Sequence, residues 1–161
     1  MNDTSRTDYL INCIIHNRST ELLECVCRAL DLNQVGSGGG TPLMAAANGG
    51  FLKTVKLLVR NGASLSTVGH SGLTALHEAS SNGHTSVVEF LLSLGAPVET
   101  KSIQGVTPLM CAAAWGHMEV AKLLLESGAD RAMTDHRGAT AEDVAREKGE
   151  EETADAINSW A

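Results

Sequence analysis

The sequence is poor in aromatic residues and has no long apolar run. Only 3% of its 161 residues are Phe, Trp or Tyr, so large rings cannot fill a single central core. Apolar residues nevertheless make up 43% of the chain, which argues against disorder along its whole length. Small side chains that let helices approach closely must therefore provide the packing. No apolar stretch approaches the roughly 20 residues that span a bilayer.

The chain also has fewer basic than acidic residues, with 12 Lys and Arg against 19 Asp and Glu. The formal net charge is −7. From Asp135 onward, eight acidic residues outnumber three basic ones, which places −5 of that charge in the C-terminal part. An acidic surface repels phosphate groups, so the sequence argues against nucleic acid or an anionic membrane as a partner. We interpret the acidic end as a solvated surface.

The start of the chain and its cysteines indicate a compartment. Met1 is followed by polar residues rather than by a basic and then apolar leader. The cysteines lack the spacing of metal ligands and are interpreted as small apolar residues with free thiols. A reducing, intracellular location is therefore expected, in the cytoplasm or alternatively the nucleus. The four cysteines are Cys13, Cys25, Cys27 and Cys111.

A repeat of 33 residues organises most of the chain. Thr41, Thr74, Thr107 and Thr140 are spaced by this interval, and glycines, leucines and Gly-Ala pairs keep the same period. Such self-similarity is typical of architectures in which each unit packs on its neighbours. A threonine can cap a helix, and a proline such as Pro42 suits the first helical position.

Within each unit the pattern predicts two short helices. A first helix over residues 43–48 should end before Gly50. Second helices are predicted over Leu52–Arg60, Thr85–Ser93 and Met118–Glu126 from their apolar spacing. The stretch that follows, such as residues 96–107, predicts an extended, hairpin-like connection. Helices this short are unstable alone, so the units must stack.

The repeated segments resemble the ankyrin repeat family. The resemblance lies in Thr41-Pro42-Leu43, Thr74-Ala75-Leu76-His77 and Thr107-Pro108-Leu109, and in Gly116-His117-Met118-Glu119-Val120. It implies an all-α solenoid of stacked antiparallel helix pairs with projecting hairpin loops. It also implies that His77, His84 and His117 are structural and hydrogen-bond neighbouring loops. A non-catalytic protein–protein interaction module is the function that it implies.

We expect one domain over residues 1–161, with five units. Residues 1–35 fit only as a divergent N-terminal capping repeat, with helices near residues 8–17 and 20–30. Full repeats occupy residues 36–68, 69–101 and 102–134. Residues 135–161 are interpreted as a C-terminal capping repeat that completes the array, because Glu142 stands where the other units have Leu43, Leu76 and Leu109.

The parts that catalysis or metal binding would need are missing. No nucleophile with a positioned base is apparent, and no H-E-x-x-H, C-x-x-C or phosphate-binding lysine loop is present. His70, His77 and His84 are seven residues apart, but they fall on a hairpin, a helix and a turn and should not converge. The glycine-rich residues 36–40 are interpreted as a flexible loop. We therefore predict no enzyme activity, no metal and no cofactor.

Binding specificity must come from residues that the repeat leaves free. The resemblance places these at the hairpin tips and on the exposed side of the first helices, which together form the family's concave face. The predicted partner-binding residues are His70, Ser71, Leu73, Glu78, Ser81, Asn82, Ile103, Gln104, Val106, Cys111, Trp115, His136 and Arg137.

Four of these residues are apolar in positions where solvated side chains are expected. Leu73, Ile103 and Val106 with Trp115 at their centre have the composition of an interaction site. The alternative is that Trp115 only covers its neighbouring helix. We therefore predict a monomeric adaptor, scaffold or regulator that binds a protein partner. A structural or self-associating subunit with no separate ligand is the alternative function.

Overall fold

Short helices occupy the positions where the 33-residue pattern predicts them. The computed structural model describes residues 3–16 and 30–160, and within those ranges it contains helices and turns but no strand. The three second helices have the predicted bounds, and the first helix of the second unit begins at Pro42, one residue earlier than predicted. The described helices are α1 (Asp3–Ile15), α2 (Pro42–Asn48), α3 (Leu52–Arg60), α4 (Ala75–Ser81), α5 (Thr85–Ser93), α6 (Pro108–Ala114), α7 (Met118–Glu126), α8 (Ala141–Lys148) and α9 (Glu151–Asn158).

The repeated threonines begin the first helices as the sequence predicts. Thr41 Oγ1 accepts a hydrogen bond from the backbone N–H of Met44 at 3.3 Å, and Pro42 takes the first turn. Thr107 makes the same 3.3 Å bond with the N–H of Met110. Each threonine satisfies a backbone donor that the first turn of a helix would otherwise leave free.

A glycine between the two helices lets the next unit approach closely. Gly83 has a φ of +68°, and a Cβ atom there would lie 2.6 Å from Nδ1 of His117, so both the backbone and the contact require glycine. His117 Nε2 lies 3.1 Å from the carbonyl oxygen of Ser81. His84 Nε2 likewise lies 2.8 Å from the carbonyl oxygen of Asn48. These bonds confirm the structural role expected for both histidines.

The helices form two stacked rows. The inner row consists of α1, α2, α4, α6 and α8, each packed on the next, and the outer row consists of α3, α5, α7 and α9. Leu43, Leu76 and Leu109 are each only 1% exposed, because each is enclosed between successive units. This is the all-α repeat solenoid that the resemblance implies, with one continuous core along the stack.

The connections between units form linked hairpin tips. Within the tip of residues 69–73, the N–H of Gly69 donates to the carbonyl of Leu73 at 2.9 Å. The tip also accepts from its neighbour, because the N–H of Ile103 donates to the carbonyl of Ser71 at 3.0 Å. The predicted hairpin-like connection is therefore present, and backbone bonds hold neighbouring tips in a fixed order.

The N-terminal helix differs from its prediction. It begins at Asp3 rather than residue 8 and ends at Ile15 rather than residue 17. Residues 3–8 contain neither Gly nor Pro, so nothing in that stretch prevents an earlier start, and Leu10 and Ile14 anchor the helix in the core. The second predicted helix of this unit, with Cys25 and Cys27, lies outside the described residues except for Leu30, which is in a bend.

The C-terminal unit contains α8 and α9 but uses ion pairs in place of an apolar contact. Glu142 is half-buried, and its carboxylate lies 2.9 Å from the guanidinium of Arg146. Arg146 also contacts Asp155 at 3.3 Å and Glu151 at 3.6 Å. Among the helices described above, none combines the length and the apolar character needed to cross a membrane.

Candidate functional site

Two adjacent hairpins enclose a shallow depression, which we call the tip depression. Its volume is roughly 300 Å³, and Ile103 at its edge is 67% exposed. The backbone bond between Ile103 and Ser71 brings the two hairpins together. The tip depression is lined by Ser71, Leu73, Ser102, Ile103, Gln104 and Val106.

Val106 is less exposed than predicted. It is half-buried and packs against the hydrophobic core, and its carbonyl lies 3.1 Å from Nε2 of His77. The N–H of Thr74 donates to Nδ1 of His77 at 3.1 Å, so Nε2 carries the hydrogen and donates it in a hydrogen bond to the Val106 carbonyl. Burial lowers the pKa of His77 despite the bond to Val106, so the ring is neutral at pH 7. Val106 therefore forms a fixed wall of the tip depression, and Leu73 is also half-buried.

Trp115 lies apart from the tip depression. It follows α6 as its C-terminal cap residue, whereas Val106 precedes the helix. The seven residues of α6 separate the two by about 10 Å along the helix axis. Trp115 is 65% exposed, which argues against the alternative that it only covers a neighbouring helix. The predicted apolar set is thus split in two, and Trp115 is not at its centre.

Glu78 and Cys111 lie on helices of the inner row, and both are half-buried. Oε2 of Glu78 accepts a hydrogen bond from Nδ2 of Asn48 at 2.9 Å, which connects α4 to α2. Burial raises the pKa of the Cys111 thiol to about 12, and the negative charge of Glu78 adds to this shift. The thiol is therefore protonated at neutral pH and a poor nucleophile.

Ser81 and Asn82 end α4, and both have local structural roles. The carbonyl of Ser81 lies 3.1 Å from Nε2 of His117. Asn82 is exposed, and its Nδ2 donates to the carbonyl of Glu78 at 2.9 Å. The bond of Ser81 uses its backbone carbonyl, so its side chain can still contact a partner, as can the side-chain oxygen of Asn82.

The last hairpin tip combines exposed His136 with a paired arginine. Arg137 donates to Oδ2 of Asp135 and to Oε2 of Glu147, each at 3.1 Å. Burial alone would raise the pKa of Asp135. Hydrogen bonds from the backbone N–H groups of Ala139 and Arg137, together with the Arg137 guanidinium, outweigh burial and hold this pKa below its ordinary value. Two carboxylates thus neutralise the charge that Arg137 offers to a partner.

The three histidines spaced by seven residues do not converge. His77 is buried against Val106, His84 bonds to the carbonyl of Asn48, and His70 is exposed at a hairpin tip. Within residues 3–16 and 30–160, no group of three or more His, Cys, Asp or Glu side chains is arranged to hold a metal ion.

A second cavity, larger than the tip depression, lies beside α1 and α2, and it was not predicted from the sequence. We call it the N-terminal groove, and its volume is roughly 490 Å³. The signal was the apolar pair Ile11 and Ile15 on one face of α1, opposite the small residues Gly38, Gly40 and Ala45. The groove is lined by Asp8, Ile11, Asn12, Ile15, His16, Ser37, Gly38, Gly40, Thr41, Met44, Ala45, Asn48 and Glu78.

Comparison with known families matches most of the chain to ankyrin repeats. The family described as "Ankyrin repeats (3 copies)" matches residues 10–102. The family described as "Ankyrin repeat" matches residues 104–136. The first match begins at residue 10 and so includes α1 from Leu10 onward, whereas the predicted C-terminal cap lies almost entirely beyond the second. No curated protein matches the chain at a significant level.

Proposed function

The chain belongs to the ankyrin repeat family, and on that premise we propose that it is a non-catalytic adaptor, scaffold or regulator of a partner protein. Ankyrin repeats are generally protein–protein interaction modules and are generally non-catalytic. The partner would bind the hairpin tips and the exposed side of the inner row. In the ankyrin repeat family these surfaces together form the concave face. The observation that carries this proposal is the exposure of Trp115.

Large apolar side chains in solvent are the main support. Trp115 and Ile103 are 65% and 67% exposed, in a chain with few aromatic residues to expose. Tryptophan is enriched among the residues that dominate binding energy, since it buries much apolar area on contact. The tip depression beside Ile103 offers a concave surface for a side chain of the partner.

The chemistry of the thiols supports a binding role inside the cell. The raised pKa of Cys111 keeps its thiol protonated, which opposes a nucleophilic role. Cys13 is buried, and Cys13 and Cys111, the two cysteines among the described residues, are free, as is usual in a reducing compartment. We place the protein in the cytoplasm or nucleus, as a monomer.

The decisive experiment is affinity capture with Trp115→Ala, followed by mass spectrometry and a binding titration. We expect the variant to weaken partner binding by about 2 kcal/mol or more, which is roughly thirty-fold in Kd. The circular dichroism spectrum should not change, because Trp115 lies outside the core. Leu94→Ala is the matched control, since Leu94 is an exposed apolar residue that follows a helix of the outer row. Equal capture by wild type and Trp115→Ala would refute the proposal.

The same exposure allows the alternative of self-association. A second copy of the chain would bury Trp115 without any separate ligand. Light scattering after size exclusion separates the two functions. A monomer favours the adaptor, whereas an oligomer that Trp115→Ala dissociates favours the structural subunit.

A further inference from the structure

The N-terminal groove combines an apolar floor with acidic ends, and we propose that it binds an extended segment of a partner protein. That segment would present an apolar side chain beside a lysine or arginine. This inference rests on the proposed protein-binding function and names the chemistry of the partner at a part of the inner row away from Trp115. It also gives a role to α1, which the tip depression does not use.

The floor of the groove is apolar and partly exposed. Ile15 is 59% exposed although it lies on a helix that packs against α2. Ile11 and Ala45 are half-buried beside it, and Met44 closes the floor from below. A volume of roughly 490 Å³ lies within the range of about 300–1,000 Å³ that is usual for ligand sites. An apolar side chain of the partner can therefore be buried in this groove, away from water.

The charged side chains that line the described part of the groove are acidic. Asp8 and Glu78 lie there beside His16, and none of the described lining residues is a lysine or arginine. Neither carboxylate takes part in an ion pair among the described residues. A cationic side chain would be attracted to these two positions.

Neutral donors hold both carboxylates in place. Oδ1 of Asp8 accepts from the N–H of Ser37 at 2.8 Å, and Oε2 of Glu78 accepts from Asn48 Nδ2 at 2.9 Å. A cation from the partner would therefore meet oriented carboxylates rather than mobile ones. Fixed groups lose less conformational entropy on binding.

The lining also favours an extended segment over other occupants. It runs from α1 across the first hairpin and α2 to Glu78 on α4, so three helices of the inner row contribute. A second copy of the chain carries the same net charge of −7, which opposes its approach to an acidic groove. Phosphate-bearing ligands are repelled for the same reason.

The test uses random octapeptides displayed on phage and selected on the wild-type chain. We expect the enriched peptides to carry Lys or Arg within a few positions of Leu, Ile, Phe or Met. The selected peptide is then synthesised, and its Kd is measured by fluorescence anisotropy. Glu78→Gln should raise that Kd about ten-fold, and raising the salt concentration should weaken binding to the wild type.

Two further variants complete the design. Ala45→Arg places a long cationic side chain on the floor, so peptide binding should be lost. Glu89→Gln removes one negative charge from an exposed position on α5 of the outer row, and its Kd should equal that of the wild type. Urea unfolding of each variant verifies that the fold is intact. The Glu78→Gln variant should pass this control, because a glutamine side chain keeps an oxygen that can accept from the Asn48 amide.

The proposal is overturned if no peptide is enriched, if the enriched peptides lack basic residues, or if Glu78→Gln and Ala45→Arg bind as well as the wild type. A dimer that Ile15→Glu dissociates would assign the groove to a second copy instead. If capture of a partner protein depends on Trp115 but not on Glu78, the proposed function is supported and only this inference is refuted. Loss of all capture by the wild type removes both.

Discussion

The middle unit (α4 and α5) and the C-terminal unit (α8 and α9) have the same pair of helices but carry different side chains at equivalent repeat positions. The middle unit has Leu76, which is 1% exposed, where the C-terminal unit has half-buried Glu142 paired with Arg146. One position later, the N–H of Thr74 donates to His77 Nδ1 at 3.1 Å, and the N–H of Thr140 donates to Asp143 Oδ2 at 2.9 Å. The start of the first helix therefore needs a side chain that accepts from the threonine N–H. Whether that side chain is neutral or charged follows from how deeply the position is buried.

This difference separates the forces that stabilise the two units. Leu76 is enclosed by neighbours on both sides, so its contribution is apolar burial, which salt hardly affects. Arg146 lies at the surface with three acidic partners, and exposed ion pairs contribute little and are screened by salt. We propose that the C-terminal unit is a cap because its Glu142 replaces the leucine that would contact a further unit.

The largest expected effect tests the equivalent positions directly. Leu76→Ala should lower the free energy of unfolding by about 2–5 kcal/mol, because it leaves a cavity between units. Glu142→Ala changes the same repeat position in the C-terminal unit and should change that free energy by about 0.5 kcal/mol or less. Urea denaturation measures both. Similar losses in the two variants would mean that Glu142 is as deeply packed as Leu76, and the comparison would fail.

A smaller effect concerns the pH dependence of the middle unit. His77→Met should cost about 1 kcal/mol at pH 7.5, because the hydrogen bond to the Val106 carbonyl is lost. The cap acceptor is kept, since Met44 and Met110 already accept the threonine N–H at this repeat position. The lowered pKa of His77 means that the unfolded chain takes up a proton first as the pH falls. Its contribution to stability is full above pH about 6.5 and is lost as the pH falls through the lower folded pKa.

The acids of the C-terminal unit act at lower pH. The pKa values of Asp135 and Asp143 are both held below their ordinary values, so their contribution is present above pH about 4 and is lost below it. Urea midpoints recorded from pH 8 to 3 should therefore show two separate declines. His77→Met should remove the His77 contribution to the upper decline and leave the lower one. An upper decline that is the same in wild type and His77→Met would show that this histidine does not cause it.

The smallest effect concerns the ion pairs of Arg146. Arg146→Met keeps most of the apolar stem but removes the contacts with Glu142, Glu151 and Asp155. The urea midpoint should drop slightly at about 0.05 M NaCl, and the difference from wild type should vanish by about 0.5 M, where the Debye length is short. Lys53→Met on the outer row, at an exposed residue, is the matched control. A deficit that persists at high salt would show that Arg146 contributes through packing.

The parts of the fold that depend on short-range signals were predictable. The bounds of α3, α5 and α7 follow from apolar spacing and flanking glycines and agree with the structure. The predicted start of α1 was wrong because residues 3–8 contain no Pro or Gly and lie outside the clear 33-residue pattern. Of the candidate site, the exposure of Trp115 and Ile103 was predictable, since both depart from the usual residue at their repeat position. The partial burial of the Val106 side chain was not predictable, because it depends on packing against the hydrophobic core, which only the tertiary structure reveals.

The sequence alone determined the repeat, its helices, its family and its acidic end, because these depend on residues a few positions apart or on a strict period. The tertiary structure decided how the exposed apolar residues are grouped. It separated Trp115 from the tip depression by the length of α6, and it formed the N-terminal groove from side chains of three helices and one hairpin. Cavities of this kind depend on the shapes of neighbouring units, which no local pattern in the chain encodes.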